Sequence, residues 1–130
     1  MRIVKTAIFA LLLFNIAFTG IMLNRAWASW HVRWGDFGRA AEIEPWDWTH
    51  QVKAGAVLLA TGKVAESVRY FREANRLMPF IWSPVNNLAI ARAILGDLIT
   101  ADKMITELLI LWPANPVILQ NRDVVKGLMG

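Results

Sequence analysis

The sequence predicts an all-α protein: one long apolar N-terminal helix that continues into a short array of helical hairpins. Three observations lead there. Residues 6–23, TAIFALLLFNIAFTGIML, carry no charge; Pro45, Pro79 and Pro113 stand 34 residues apart; and Gly62 and Gly96 keep the same interval. A helix of that uncharged length rises roughly 27 Å, close to the ~30 Å hydrocarbon layer of a bilayer.

The first element, residues 1–29, reads as a short tail, a transmembrane helix and a juxtamembrane stretch. Arg2 and Lys5 precede the apolar run. A cleaved signal peptide is the competing reading, because AWA at 26–28 has the small-x-small pattern of a cleavage site. The run is longer than most signal sequences, and Arg25 stands where a cleavage region is usually uncharged. Both features favour a retained anchor. Five cations and one anion fall in residues 1–40, whereas nine of each fall in residues 41–130, so the net charge of +4 belongs to the membrane-proximal part. A neutral remainder offers no basic surface for nucleic acid, and anionic head groups become the expected counter-charge. The absence of cysteine excludes disulfides, thiolate metal sites and cysteine nucleophiles.

Residues 30–45 follow as half a repeat. Leu23, Trp27, Trp30, Trp34, Phe37 and Ala41 are spaced by three and four, which forms one apolar stripe if the helix runs on to about Glu44. Gly35 and Gly38 oppose that continuity at about 1 kcal/mol each. On this reading Trp27 and Trp30 lie in the interfacial aromatic belt, while Trp34 packs on the first full repeat. Contact of the same tryptophans with a partner subunit is the alternative.

Two full units occupy residues 46–79 and 80–113. Each divides at its glycine into two stretches of helical periodicity, WTHQVKAGAVLLATG then KVAESVRYFREANRLMP, and WSPVNNLAIARAILG then DLITADKMITELLILWP. Phe37, Phe71 and Ile105 recur at the interval, as do Ala40, Ala74 and Leu108, and Ile43, Leu77 and Leu111. Thr49 and Ser83 are expected to cap the first helices, with Pro84 at a first helical position, and the glycines to close them in the left-handed conformation. A capping helix over 115–127 completes the chain, with Asn115 as N-cap and Val117, Ile118, Val124 and Val125 covering the last pair.

This pattern resembles the tetratricopeptide repeat, on residues Gly55, Gly62, Ser67, Phe71, Ala74 and Pro79 of the first unit and Leu88, Ala89, Gly96, Ala101 and Pro113 of the second. Gln51 and Val85 occupy the usual leading tryptophan slot, and Ile105 and Leu108 replace an aromatic and an alanine, which marks a divergent array of about two and a half repeats. The resemblance spans roughly residues 30–127. It implies stacked antiparallel helix pairs that bind other proteins. It also implies a groove lined by the first helix of each pair, here Val52, Lys53 and Ala56, then Asn86, Asn87 and Ile90. The lysine and arginine pattern of a carboxylate clamp is absent.

Chemistry is poorly represented. His31 and His50 are far apart, Ser29, Ser67 and Ser83 lack a nucleophile-elbow context, and no glycine-rich phosphate loop exists. His31 and His50 read as surface or juxtamembrane polar residues, and Arg69, Arg72 and Arg76 as a solvated stripe. No enzyme activity, cofactor, metal or nucleic acid is expected. Within the span, Asn15 is the one strongly polar side chain, and Ala10, Ala17 and Gly20 offer small surfaces to another helix. The site expectation is therefore Asn15, Trp27, Trp30 and Trp34 against partner subunits and lipid. The functional expectation is a non-catalytic, single-pass adaptor or structural subunit of a bacterial inner-membrane complex, its repeat domain in the periplasm. A secreted peptide- or glycan-binding module and an accessory to a membrane enzyme are the alternatives.

Overall fold

The computed structural model describes residues 2–33 and 35–130, with side chains for Thr6 and from Ala10 onward. Seven helices and no strand appear among the described residues: α1 (Arg2–Arg33), α2 (Phe37–Ile43), α3 (Trp48–Ala60), α4 (Val64–Leu77), α5 (Trp82–Ile94), α6 (Leu98–Leu111) and α7 (Pro116–Met129). Both ends of α3 and α5, and both ends of α4 and α6, are displaced by the 34-residue interval. Alternate helices run antiparallel. α3, α5 and α7 (the A helices) touch in sequence, while α2, α4 and α6 (the B helices) pack on the A helices beside them.

Glycine sets one end of each hairpin. Gly62 and Gly96 take φ of 81° and 90°. Lys63 N donates to Leu58 O at 2.8 Å and Gly62 N to Leu59 O at 3.2 Å, while Asp97 N and Gly96 N make the matching bonds to Arg92 O and Ala93 O. This is the paired closure that satisfies the last carbonyls of a helix when its C′ residue is left-handed. α1 ends in the same way, with Gly35 at φ 77°, Asp36 N on His31 O at 2.8 Å and Gly35 N on Val32 O at 3.1 Å. The expected continuous helix to Glu44 is therefore corrected. The chain turns at Gly35, and Asp36 starts α2 by accepting from Arg39 N at 3.0 Å.

That turn gives α1 a second role. Counting back from the turns, its last thirteen residues match α3 with an offset of 27, which pairs Ala28 with Gly55 and Ala89, all buried. Asn24 then pairs with Gln51, and both donate to the end of α2: Asn24 Nδ2 to Ile43 O at 3.1 Å, and Gln51 Nε2 to Pro45 O at 3.3 Å and Ala41 O at 3.4 Å. The end of α1 is thus the first A helix. α2 has half the length of α4 or α6, 7 residues against 14, so its hairpin lacks about two turns, roughly 10 Å.

Phe71 is fully buried with Leu88 and Ala91, and Ala89, Ala101, Ile105, Ile118 and Val125 form the second core cluster. Packing at Gly55 explains the glycine: a Cβ there would lie 2.7 Å from the Phe71 ring. Other expectations need correction. Asp47, not Thr49, caps α3, its carboxylate accepting from Thr49 N at 2.9 Å. Ile81, not Ser83, stands at the cap of α5, without a side-chain bond, so Pro84 is the third residue of the helix and not the first. Asn115 does cap α7, with Pro116 behind it, but only Ile118 and Val125 face the core, while Val117 and Val124 point outward. α7 extends to Met129, and Gly130 at φ 86° repeats the interval from Gly96. α7 therefore occupies the register of a further A helix.

Candidate functional site

Three surfaces gather the residues singled out by the sequence. The first is α1 itself. From Ala10 to Leu23 every described side chain is exposed, and the helix is long and apolar enough to cross a membrane. Asn15 is exposed among these and turns its amide to Leu11 O at 3.1 Å, on its own helix. A shallow recess beside it is lined by Leu12, Thr19 and Gly20.

The second surface lies where α1 meets the array. Trp27 and Trp30, 53% and 49% exposed, stack at 5.5 Å with planes 7° apart. The His31 ring stands edge-on to both, at 5.1 and 4.9 Å, and its Nδ1 lies 3.2 Å from Asp36 Oδ2. The expected packing of Trp34 falls outside the described residues. Below this cluster, Glu44 is buried at the end of α2, with Arg25 Nε 4.0 Å from one oxygen and His50 Nδ1 3.6 Å from the other. His50 is 9% exposed, which corrects its reading as a surface residue.

Asp47 completes that group. Its carboxylate lies 4.0 Å from His50 Nε2. Burial raises the Asp47 pKa, but hydrogen bonds from the Thr49 hydroxyl and amide, helped by His50, outweigh it and hold the carboxyl below its ordinary 3.8. Donor atoms of Glu44, Asp47 and His50 all fall within 4.8 Å of one another, the one such set among the described residues able to hold a metal. Arg25 already brings a positive charge to Glu44. Arg25, Glu44 and His50 thus bring α1, the end of α2 and the start of α3 together. The sequence signal was the spacing of three, Glu44, Asp47, His50, which runs across a turn and so resembles no helical metal motif.

The third surface is the A-helix face. Lys53 and Ala56 are exposed, Val52, Asn87 and Ile90 half-buried, and Lys53 leans over the Phe37 ring at 5.8 Å. Asn86 is not part of this surface. It is 1% exposed and accepts from Asn121 Nδ2 at 3.0 Å. This pair ties α5 to α7. Asn121, one interval beyond Asn87, takes a place on the face that sequence reasoning missed.

The shortened α2 leaves a recess of about 230 Å³ between Gly35–Gly38 and helices α3 and α4, with Arg69 and Tyr70 on its wall. Arg69 Nη2 donates to the Tyr70 hydroxyl at 2.9 Å, and Arg76 grips Glu73 through two bonds of 2.9 and 2.6 Å. Arg69, Arg72 and Arg76 are exposed, in line with a solvated stripe. Ser67 is buried with its hydroxyl on Val64 O. His31 faces Asp36 while His50 faces Glu44 and Asp47, so the two histidines lie in separate groups.

No family model and no curated protein sequence matches the chain. Solved structures do. The second TPR domain of human RPAP3, determined by NMR in complex with the HSP70 peptide SGPTIEEVD, superposes with a TM-score of 0.63 at 18% identity, over 79% of this chain and 92% of that one. The fold is that of a tetratricopeptide repeat domain. In the leading-tryptophan slot of this TPR-like fold, Asn24 and Gln51 are amides that both donate to carbonyls at the end of the short α2, whereas Val85 in the next unit is apolar.

Proposed function

We propose that the chain is a single-pass membrane protein whose TPR array is a non-catalytic adaptor or structural subunit, holding other proteins of a membrane complex close to the bilayer. The observation that carries this reading is the continuity of α1: its exposed apolar part passes without a break into the first A helix. A domain built onto its anchor has a fixed position near the membrane, which raises its effective concentration toward membrane partners. Exposed apolar side chains at the far end of the array, Ile94, Leu95 and Ile99, together with Asn87 and Asn121, offer protein-sized contacts.

The secreted alternative fits less well. Cleavage after Ala28 would cut α1 at a buried residue and remove the Asn24 bond to Ile43. On our reading the array is periplasmic in a bacterial inner membrane. The five-residue basic tail with its long apolar run has the form of a signal anchor.

The test is photo-crosslinking in native membranes from Asn87 and Ile94 on the A-helix side and from Lys103 on α6, with mass-spectrometric identification of products. Products with a membrane protein from the first two positions, and few from Lys103, are expected. An absence of products from all three contradicts the adaptor reading. A mature chain that begins at Ser29 contradicts the anchor.

A further inference from the structure

We infer that the end of the array carrying the B-to-A turns rests on the bilayer, with Trp46 and Phe80 set into the headgroup–acyl boundary. The inference rests on reading α1 as a membrane anchor. It adds that the domain itself is a second, interfacial membrane contact.

Topology places the surface. The α2–α3, α4–α5 and α6–α7 turns all open at one end, because every B helix runs antiparallel to the A helices. α1 runs with the A helices, so its N-terminal part projects from that same end. The bond from Asn24 Nδ2 to Ile43 O at 3.1 Å and the approach of Arg25 to Glu44 at 4.0 Å fix the level. They hold the first turn beside the residue that follows the uncharged run. In the sequence register that pairs α3 with α1, Trp48 corresponds to Ile21 and the turn before it to residues 17–20, within the last part of the uncharged run.

Chemistry then supports the placement. Trp46 and Phe80 occupy the same repeat position, each directly after a proline, and are 61% and 87% exposed; no large apolar side chain is more exposed than Phe80 among the described residues. Aromatic rings with one apolar face and one wet side concentrate at membrane–water interfaces. Residues 78–81 and 112–115 contain no charge. In the first turn Glu44 is buried against Arg25 and His50, and Asp47 is bound to Thr49. The last turn of α6 adds exposed Ile110 and Leu111 to the same rim. At the opposite end, Asp36, Lys63 and Asp97 follow the turn glycines. Exposed Ile94 and Ile99 also lie there, but a helix length of roughly 21 Å separates them from the rim. The helices therefore stand along the membrane normal, and the A-helix face opens sideways toward neighbours in the membrane plane.

The chain lacks cysteine, so single labels can be placed on the full-length protein. Nitroxides would be attached at Ile16→Cys, Trp46→Cys, Phe80→Cys, Lys63→Cys and Ile99→Cys, each reconstituted in vesicles of phosphatidylethanolamine and phosphatidylglycerol. Collision with oxygen is compared with collision with a water-soluble nickel chelate. The expected result is loss of nickel collision at 16, 46 and 80, with full collision at 63 and 99. Nickel collision at 80 equal to that at 99, with 16 still shielded, overturns the inference and leaves the anchor standing. An unshielded 16 overturns the anchor as well. Should Trp46→Cys fail to fold by circular dichroism, Phe80→Cys decides alone, since so exposed a side chain carries little packing.

Discussion

The two ends of the hairpin stack obey one 34-residue rhythm and yet are built from opposite materials. At the end opposite the one from which the N-terminal part of α1 projects, glycine closes α1, α3 and α5 in the left-handed conformation and a charged residue, Asp36, Lys63 or Asp97, begins the B helix. At the end from which α1 projects, proline follows the B helix, and in the first two turns an exposed aromatic comes next. Glycine is required where the backbone must reverse at positive φ, and a charge beside it costs nothing in water. Proline ends a helix without leaving an amide to satisfy, which suits a turn facing an environment poorer in hydrogen-bond partners. The repeat thus sets the chain path, while the turn residues decide what each end can touch.

Substitutions can break or sharpen that contrast. The largest effect is expected between the ends, where Gly55→Val drives a branched side chain into the Phe71 ring. Overpacking of this kind costs about 1–3 kcal/mol, and thermal melting in detergent should show loss of cooperative unfolding or a clearly lower Tm. At the distal end Gly62→Ala and Gly96→Ala should each cost about 1–2 kcal/mol, because a Cβ is strained in the left-handed region; a melt superposable on the parent would remove the stated reason for those glycines.

The proximal end should respond more weakly and with pH. Asp47→Ala removes the α3 cap and should cost about 1 kcal/mol at neutral pH. The folded-state pKa of Asp47 lies below its ordinary 3.8, so its ionised form favours the folded state above that value, and the benefit disappears as pH falls through the folded pKa. Urea titrations of parent and variant should therefore converge in acid, and a gap that persists there would contradict the ionic account. The smallest effect belongs to Phe80→Ser, which should leave the detergent melt within about 0.5 kcal/mol of the parent, since the ring touches little of the protein.

Much of this was written openly in the chain. α5 and α6 repeat α3 and α4 at the 34-residue interval because the same glycine, small-residue and proline positions recur in both units. Other features were hidden for physical reasons. The apolar stripe from Leu23 to Ala41 crosses the turn at Gly35, with Leu23, Trp27 and Trp30 exposed on α1 and Ala41 buried on α2, and periodicity alone does not register a left-handed glycine. Asn86 looked like groove material until its buried bond with Asn121 became visible, and the burial of His50 depends on a Glu44 that only the folded turn brings near. Trp46 and Phe80 match at the 34-residue interval, but that they share the end from which α1 projects follows only from the path of the helices.

The central claim is that the last turns of α1 are both the end of an anchor and the first A helix of the array. Thermal unfolding of full-length Ala28→Leu beside Trp27→Leu in the same detergent tests it most directly. Ala28 is fully buried in the small slot that Gly55 and Ala89 fill in the later units, whereas Trp27 is half exposed. The account predicts a loss of about 1–3 kcal/mol for Ala28→Leu and a far smaller one for Trp27→Leu. A parent-like melt for Ala28→Leu, or equal losses for both, would show that α1 is a tether attached to the domain and not part of its fold.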